Sequence, residues 1–272
     1  MTTASQPLIT GRTRLCAILG DPIAQVGSPV QFNRLFDDIG HDAVMLPMRV
    51  AADNLETAFR GLRALGNLAG LVFTIPHKMP MVGLVDELMP NGKLVGAINA
   101  ARPTGDGRWQ GDMFDGQGCV NALEASGHSL EGRLVVQNGA GGVGRAIAFA
   151  FAGRGIARLT VSDAEPARAE KLAEDLRAAF PNLEAEAGTA RVGNHDTLVN
   201  CTPLGMNLDD PLPFPETDLA SGMLAVDVVL HETLTPYLAS AQSKGCAIQT
   251  GQAMLEGQVR EIARFFGVMS GN

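Results

Sequence analysis

Lys78 closes the segment Thr74-Ile75-Pro76-His77-Lys78, in which an apolar strand is expected to stop at Pro76. Ligands of open α/β sheets sit outside that carboxyl edge, and a lysine there can donate a proton or hydrogen bond to a carbonyl oxygen as hydride arrives. Asp115, in Gly111-Asp112-Met113-Phe114-Asp115-Gly116, falls near an expected domain junction, placed to pair with it. Such a pair keeps both groups charged and holds the amine in position. Asn99 and Gln258 are neutral hydrogen-bonders suited to the hydroxyls of a polyol. Taken singly, these residues also fit a solvated lysine, a turn aspartate and ordinary surface amides. The five histidines, His41, His77, His128, His195 and His231, show no metal-ligand spacing, and His77 is the one beside the candidate site. There is no G-x-S-x-G, which argues against a serine hydrolase.

A second constellation is Gly139-Ala140-Gly141-Gly142-Val143-Gly144. It follows the apolar run Leu134-Val135-Val136, opens the small-residue segment Arg145–Ala150, and is followed by a second run, Leu159-Thr160-Val161, and Asp163. Strand, glycine turn, helix, strand and acid is the order of a dinucleotide site. Gly139 allows the tight turn, Gly141 lets backbone approach a pyrophosphate, and Gly144 lets helix and strand pack closely. The helix N-terminal amides around Gly142 and Val143 meet the phosphates. Asp163 would accept hydrogen bonds from an adenosine ribose and repel a 2′-phosphate, which favours NAD, with NADP the alternative. Arg168, one helical turn on, is the rival phosphate ligand, although its spacing suits a pairing with Glu165. In a chain with 32 glycines the hexapeptide alone is weak, and the flanking strands and acid give it meaning.

The elements that must position these residues alternate. Strands are expected at Cys16–Leu19, Ala43–Met48, Leu71–Ile75 and, as an extended segment, Val95–Ile98, with helices at Ser28–Asp38, Asn54–Leu65 and Met81–Leu88. Beyond these come strands at Leu134–Val136, Leu159–Val161, Thr197–Asn200, Ala225–Val229 and Ala247–Gln249. The intervening helices are Gly144–Ala152, Pro166–Ala179 and Pro236–Ser243, and Pro203–Pro215 is a surface loop near the cofactor. A last helix, Met254–Phe266, is placed to return to the first domain. The expected fold is therefore α/β in two domains. An N-terminal α/β substrate domain with a mixed sheet takes residues 1–116 and 252–272. A Rossmann-type, doubly wound parallel sheet takes 117–251.

Composition narrows the function classes. With 46% hydrophobic and 18% charged residues the chain is a globular protein rather than a disordered one. A net charge of −8 argues against nucleic acid as partner. No apolar run approaches membrane-spanning length, and Met1–Gln6 carries no signal pattern, so a cytoplasmic location is expected. Cys16, Cys119, Cys201 and Cys246 are widely spaced, which reads as reduced, buried thiols rather than a metal or disulfide framework.

These segments together resemble the shikimate/quinate dehydrogenase family. Gly20-Asp21-Pro22-Ile23 with Ser28-Pro29 and Asn33 is similar to the family's G-x-P-I-x-H-S-x-S-P opening. Thr74–Lys78 resembles V-T-V-P-F-K, Gly96–Asn99 resembles G-A-V-N-T, and Gly111–Gly116 resembles G-D-N-T-D-G. Asn200–Met206 resembles N-A-T-P-L-G-M, and Gly251, Met254, Leu255 and Gln258 resemble G-x-x-M-L-x-x-Q. The resemblance implies a catalytic Lys78–Asp115 pair, substrate contacts from Ser28, Thr74, Asn99 and Gln258, and further cofactor contacts from Thr202 and Gly251. It implies a small-molecule substrate, no metal, and a monomer or homodimer. It implies hydride transfer between a nicotinamide cofactor and a ring hydroxyl or ketone of shikimate, quinate or a related cyclic hydroxy acid. Four expected polar positions are apolar here: Val26, Val72, Ala100 and Leu230. That leaves two other readings, the same chemistry on a less polar cyclic alcohol, or a nucleotide-binding regulator without turnover. The family's N-R-T, whose arginine clamps a 2′-phosphate, is replaced by Ser162-Asp163-Ala164.

Overall fold

A computed structural model describes residues 9–191, 193–231 and 234–269; Met1–Gln6 lies outside them. The chain forms two compact units. The first runs to Phe114 and resumes at Val259, and the second is Asp115–Gln258.

The first unit alternates strand and helix, then turns to short antiparallel strands. Its elements are β1 (Arg14–Gly20), α1 (Ser28–Asp38), β2 (Ala43–Arg49), α2 (Leu55–Arg63), β3 (Leu68–Phe73), β4 (Glu87–Leu88), α3 (Pro90–Val95), β5 (Ala100–Pro103) and β6 (Trp109–Asp112). The sheet order is β2-β1-β3-β5-β6-β4. β1 runs parallel to β2 and β3, β5 is antiparallel to β3 and β6, and β4 is parallel to β6. β1 is apolar throughout Cys16–Leu19 because both of its faces are covered. On one side Leu19, Phe59, Phe73, Met81, Ile98 and Trp109 form a core in which the Phe59 ring meets Trp109 edge-on. Elsewhere in the unit the Phe266 ring occupies the place where a side chain on Gly70 would lie, and stacks on Phe32.

The second unit holds α4 (Asp115–Ala125), β7 (Leu134–Asn138), α5 (Gly142–Ala152), β8 (Arg158–Ser162), α6 (Pro166–Ala179) and β9 (Glu184–Ala187). It continues with β10 (Thr197–Asn200), β11 (Leu224–Asp227), α7 (Pro236–Ser243), β12 (Ala247–Gln249) and the first half of α8 (Gly251–Phe265). All six strands are parallel, in the order β12-β11-β10-β7-β8-β9. Counted from β7 this is the 3-2-1-4-5-6 order of a doubly wound dinucleotide fold, with its switch point between β7 and β10.

Met81–Leu88 and Val95–Ile98 are among the stretches that depart from the sequence expectation. Met81–Leu88 is not a helix: Pro80–Gly83 makes one 3₁₀ turn, and Glu87–Leu88 pairs with Gln110–Gly111. The Gln110 side chain donates to Glu87, and the Trp109 amide to Asp86, so tertiary pairing overrides local pattern. Val95–Ile98 is not extended, because a helix begins with Pro90 and ends at Gly96, whose φ of +70° closes it. Proline at the start and glycine just past the end are the ordinary marks of such a helix. The third strand also ends earlier than expected, at Phe73, although the Thr74 amide still reaches Leu19 O at 2.9 Å.

Candidate functional site

In the second unit, the glycine turn between β7 and α5 is dictated by space. Gly139 has φ +106°, and a Cβ there would stand 2.6 Å from the Cys201 carbonyl oxygen. A Cβ on Gly144 would overlap the Gly139 carbonyl. Gln137 Nε2 donates to both Gly139 O and Gly144 O, at 2.8 and 3.0 Å, and so locks the turn. Sequence reasoning missed this residue; its one signal is a polar side chain in an apolar strand just before the turn. Gly141 differs from its neighbours, since nothing lies within 4 Å of a Cβ built on it. It precedes α5, whose first-turn amides, Gly142 and Val143 among them, have no side-chain cap. Open space over uncapped amides suits an anionic diphosphate.

Asp163 stands just past β8. Its Oδ2 accepts from the Ala140 amide at 2.7 Å and its Oδ1 from the Glu165 amide at 2.8 Å. A carboxylate has about four acceptor sites, so capacity for ribose hydroxyls remains. Arg168 pairs with Glu165 at 2.7 Å, the partner its spacing suggested. Thr202 hangs from Asn200, whose Oδ1 accepts both the threonine amide and its hydroxyl. Asn200 donates in turn to Asp227, which also receives Thr235 Oγ1 and the Val229 amide. This buried network of Asp227, Asn200 and Thr235 was not read from the sequence, and burial raises the Asp227 carboxyl above its usual range. Gly251 has a steric reason: a Cβ there would lie 2.6 Å from the carbonyl oxygens of Val228 and Val229. Asp115 opens α4 and is buried, and Gln258 is buried on α8. The two helices touch at Gly118, where a Cβ would stand 2.7 Å from that of Gln258.

In the first unit, the carboxyl ends of the parallel strands carry the remaining candidates. Ser28 is the first residue of α1 and buried. Thr74 fills the space beside Gly20. Lys78 is half-buried, and its carbonyl accepts from the Ile98 amide at 2.9 Å. His77 is fully buried and binds Val50 O through Nε2 at 2.8 Å. Asn99 is buried, and its Oδ1 accepts from the amide of Phe114, the residue before Asp115. Two of the four apolar replacements are register partners: Val72 on β3 lies opposite Ala100 on β5, both buried. Val26 and Leu230 are half-buried, in the first and second unit respectively.

Burial pushes Cys16 and Cys119 up to about 12 and raises Cys201 and Cys246 as well. Among the described residues no group of three or more His, Cys, Asp or Glu is placed to hold a metal ion, and no helix is long and apolar enough to cross a membrane.

A mixed-sheet unit and a 3-2-1-4-5-6 parallel unit with this glycine turn define a two-unit α/β protein of Rossmann type. Residues 18–101 match the shikimate dehydrogenase substrate binding domain. Shikimate dehydrogenase (NADP(+)) of Rubrobacter xylanophilus is 36% identical over 255 residues, spanning 92% of this chain and 89% of that one. The chain belongs to the shikimate dehydrogenase family. Among solved structures, shikimate 5-dehydrogenase from Listeria monocytogenes in complex with shikimate and NAD superposes with TM-score 0.84 at 28% identity, covering 96% of this chain and 92% of that one. The 5-ketofructose reductase of Gluconobacter has TM-score 0.84 at 25% identity, covering 97% and 96%.

Proposed function

We propose that this chain is a nicotinamide-dependent dehydrogenase that interconverts a ring hydroxyl and ketone of shikimate, quinate or a related cyclic hydroxy acid, with NAD preferred over NADP. The observation that carries the reading is Lys78, at the carboxyl end of β3 with its own carbonyl fixed to Ile98, in a chain whose family is established. The glycine turn fits a dinucleotide: Gly141 is open, the α5 amides are uncapped, and Asp163 retains acceptor capacity. When bound, the nicotinamide supplies or takes the hydride. Lys78 donates a proton to the forming alkoxide in the reductive direction and takes it back in the oxidative one. Asp115 is the lysine's catalytic partner as the family resemblance implies, Thr74, Asn99 and Gln258 hold substrate hydroxyls, and Ser28 is the serine that remains for the carboxylate. Gly139, Gly141, Gly142, Val143, Gly144, Thr202 and Gly251 shape the cofactor's bed.

NAD is preferred in this reading because the Asp163 carboxylate, just past β8, would accept from ribose hydroxyls and repel a 2′-phosphate, and Arg168 is engaged with Glu165. The Rubrobacter relative is named for NADP(+), and the Listeria structure holds NAD, so both occur among similar proteins. A second reading is favoured by the Val72–Ala100 pair and by Val26: a ring or sugar ketone without a carboxylate, as the name of the Gluconobacter reductase describes. Specificity constants with NAD and NADP against shikimate, quinate and neutral cyclic or sugar alcohols test both. Turnover of shikimate at low Michaelis constant supports the first reading, and turnover of neutral alcohols alone supports the second. NADP preference would mean Asp163 does not read the ribose. A protein that binds dinucleotide and turns over nothing would be a regulator.

A further inference from the structure

His77 is a histidine with half of its hydrogen-bonding capacity unused. Its ring is fully buried, and Nε2 lies 2.8 Å from the carbonyl oxygen of Val50, just past β2. A carbonyl only accepts, so Nε2 carries the proton, and Nδ1 is left as a bare acceptor. Among the described residues Nδ1 has no partner. A buried acceptor without a donor is unfavourable, and an apolar ring of similar size would avoid it. The motif V-T-V-P-F-K, which this segment resembles, has phenylalanine at that position. What the imidazole supplies beyond a phenyl ring is therefore the one bond to Val50.

That bond sits next to Lys78. The segment after β3 is held on one side by His77 Nε2 to Val50 O, and on the other by the Ile98 amide to Lys78 O at 2.9 Å. The Met81 amide bonds to His77 O at 3.0 Å, and the His77 amide to Thr74 O at 2.8 Å. The Val50 amide in turn bonds to Gly20 O at 3.1 Å, so the acceptor itself is tied to β1. Lys78 thus leaves a backbone clamped between two strand ends, and removing one clamp frees its Cα to shift.

We propose that His77 is a positioning residue for Lys78, bracing the lysine-bearing segment against the end of β2 through its Nε2–H. The proposal rests on the assignment of Lys78 to proton transfer. A small misplacement of a reacting group costs rate without costing affinity. His77→Phe, which fills the volume without the donor, is expected to lower kcat roughly tenfold with little change in KM for either substrate or in cofactor Kd. His77→Gln, whose Nε2 reaches about as far, restores most of kcat, whereas His77→Asn, polar but short, does not. The Gln and Asn variants carry the same contrast even if the phenyl ring disturbs folding. In a Lys78→Ala background the Phe substitution should cost nothing further, because the group it positions is gone. A His77→Phe enzyme within twofold of wild type, equal losses in Gln and Asn, or a full loss on top of Lys78→Ala would each overturn the brace. Lys78→Ala with undiminished turnover would instead overturn the role of the lysine and the brace with it.

Discussion

The glycine turn of the second unit and the strand ends of the first are both built on a few residues at fixed spacing, yet different forces constrain them. At the turn, atoms of the main chain set the terms: Gly139 and Gly144 are closed to any side chain by carbonyl groups. At the strand ends of the first unit, side-chain chemistry sets them, and Val72 with Ala100 replaces polar positions by a buried apolar pair that leaves nothing unsatisfied. Backbone sterics tolerate no substitute, whereas a hydrogen-bonding contact can be exchanged when the ligand changes. The glycine turn is therefore the sterically closed part of this protein, and the strand ends of the first unit are the part set by side-chain chemistry.

The comparison breaks most visibly if the chemistry does not need the first unit's lysine. Lys78→Ala should lower turnover by about 10²–10⁴-fold while leaving cofactor affinity near wild type, measured by steady-state kinetics and dinucleotide titration. Retention of most activity removes Lys78 from the mechanism.

Next come the two glycines. Gly144→Ala should destabilise by about 1–3 kcal/mol, since its methyl meets the Gly139 carbonyl. Gly141→Ala should melt like the wild type yet bind dinucleotide more weakly, because its methyl enters space that only the ligand fills. Thermal melts beside binding titrations separate the two, and equal melting losses would show that the turn is not divided into a packed glycine and an open one.

Val26→Ser sharpens the substrate side. If a carboxylate is bound near this residue, the variant should lower the Michaelis constant for shikimate about tenfold, the worth of one charge-assisted hydrogen bond. No change would leave the neutral-ketone reading ahead. Asp163→Ala should shrink a preference for NAD by a similar or smaller factor, read from the ratio of specificity constants. An unchanged ratio would show that the carboxylate serves only the Ala140 and Glu165 amides.

The smallest effect concerns Asp227. Its folded pKa is raised, chiefly by burial, so its contribution to stability is full below the unfolded value near 3.8 and is lost as pH rises through the folded one. Asp227→Asn should flatten the decline of stability with rising pH in that window, followed by denaturant melts at several pH values. An unchanged slope would mean that another group carries it.

Much of the second unit was legible because its patterns are local. Proline opens α6 and α7, and a short run with two β-branched residues makes β10, so Pro166–Ala179, Pro236–Ser243 and Thr197–Asn200 carry the same bounds in sequence and structure. The first unit was legible up to β3. Beyond it, β4, β5 and β6 are two to four residues long and exist through pairing with one another, which no local period records. The site followed the same division. The turn glycines and Asp163 announce themselves by spacing, whereas Asn200 and Asp227 matter through each other across 27 residues, and His77 through a carbonyl 27 residues away; Gln137 acts within its own turn, through carbonyls that no side-chain pattern records.

The ring of Phe266 rests on Gly70 and stacks on Phe32, so the first unit completes its core with almost the last described residues of the chain. A ribosome releases β3 long before the aromatic lid that covers it exists. The second unit, being one uninterrupted stretch, has all of its own residues in hand by Gln258. The half of the molecule that is made first is the half that must wait to be finished.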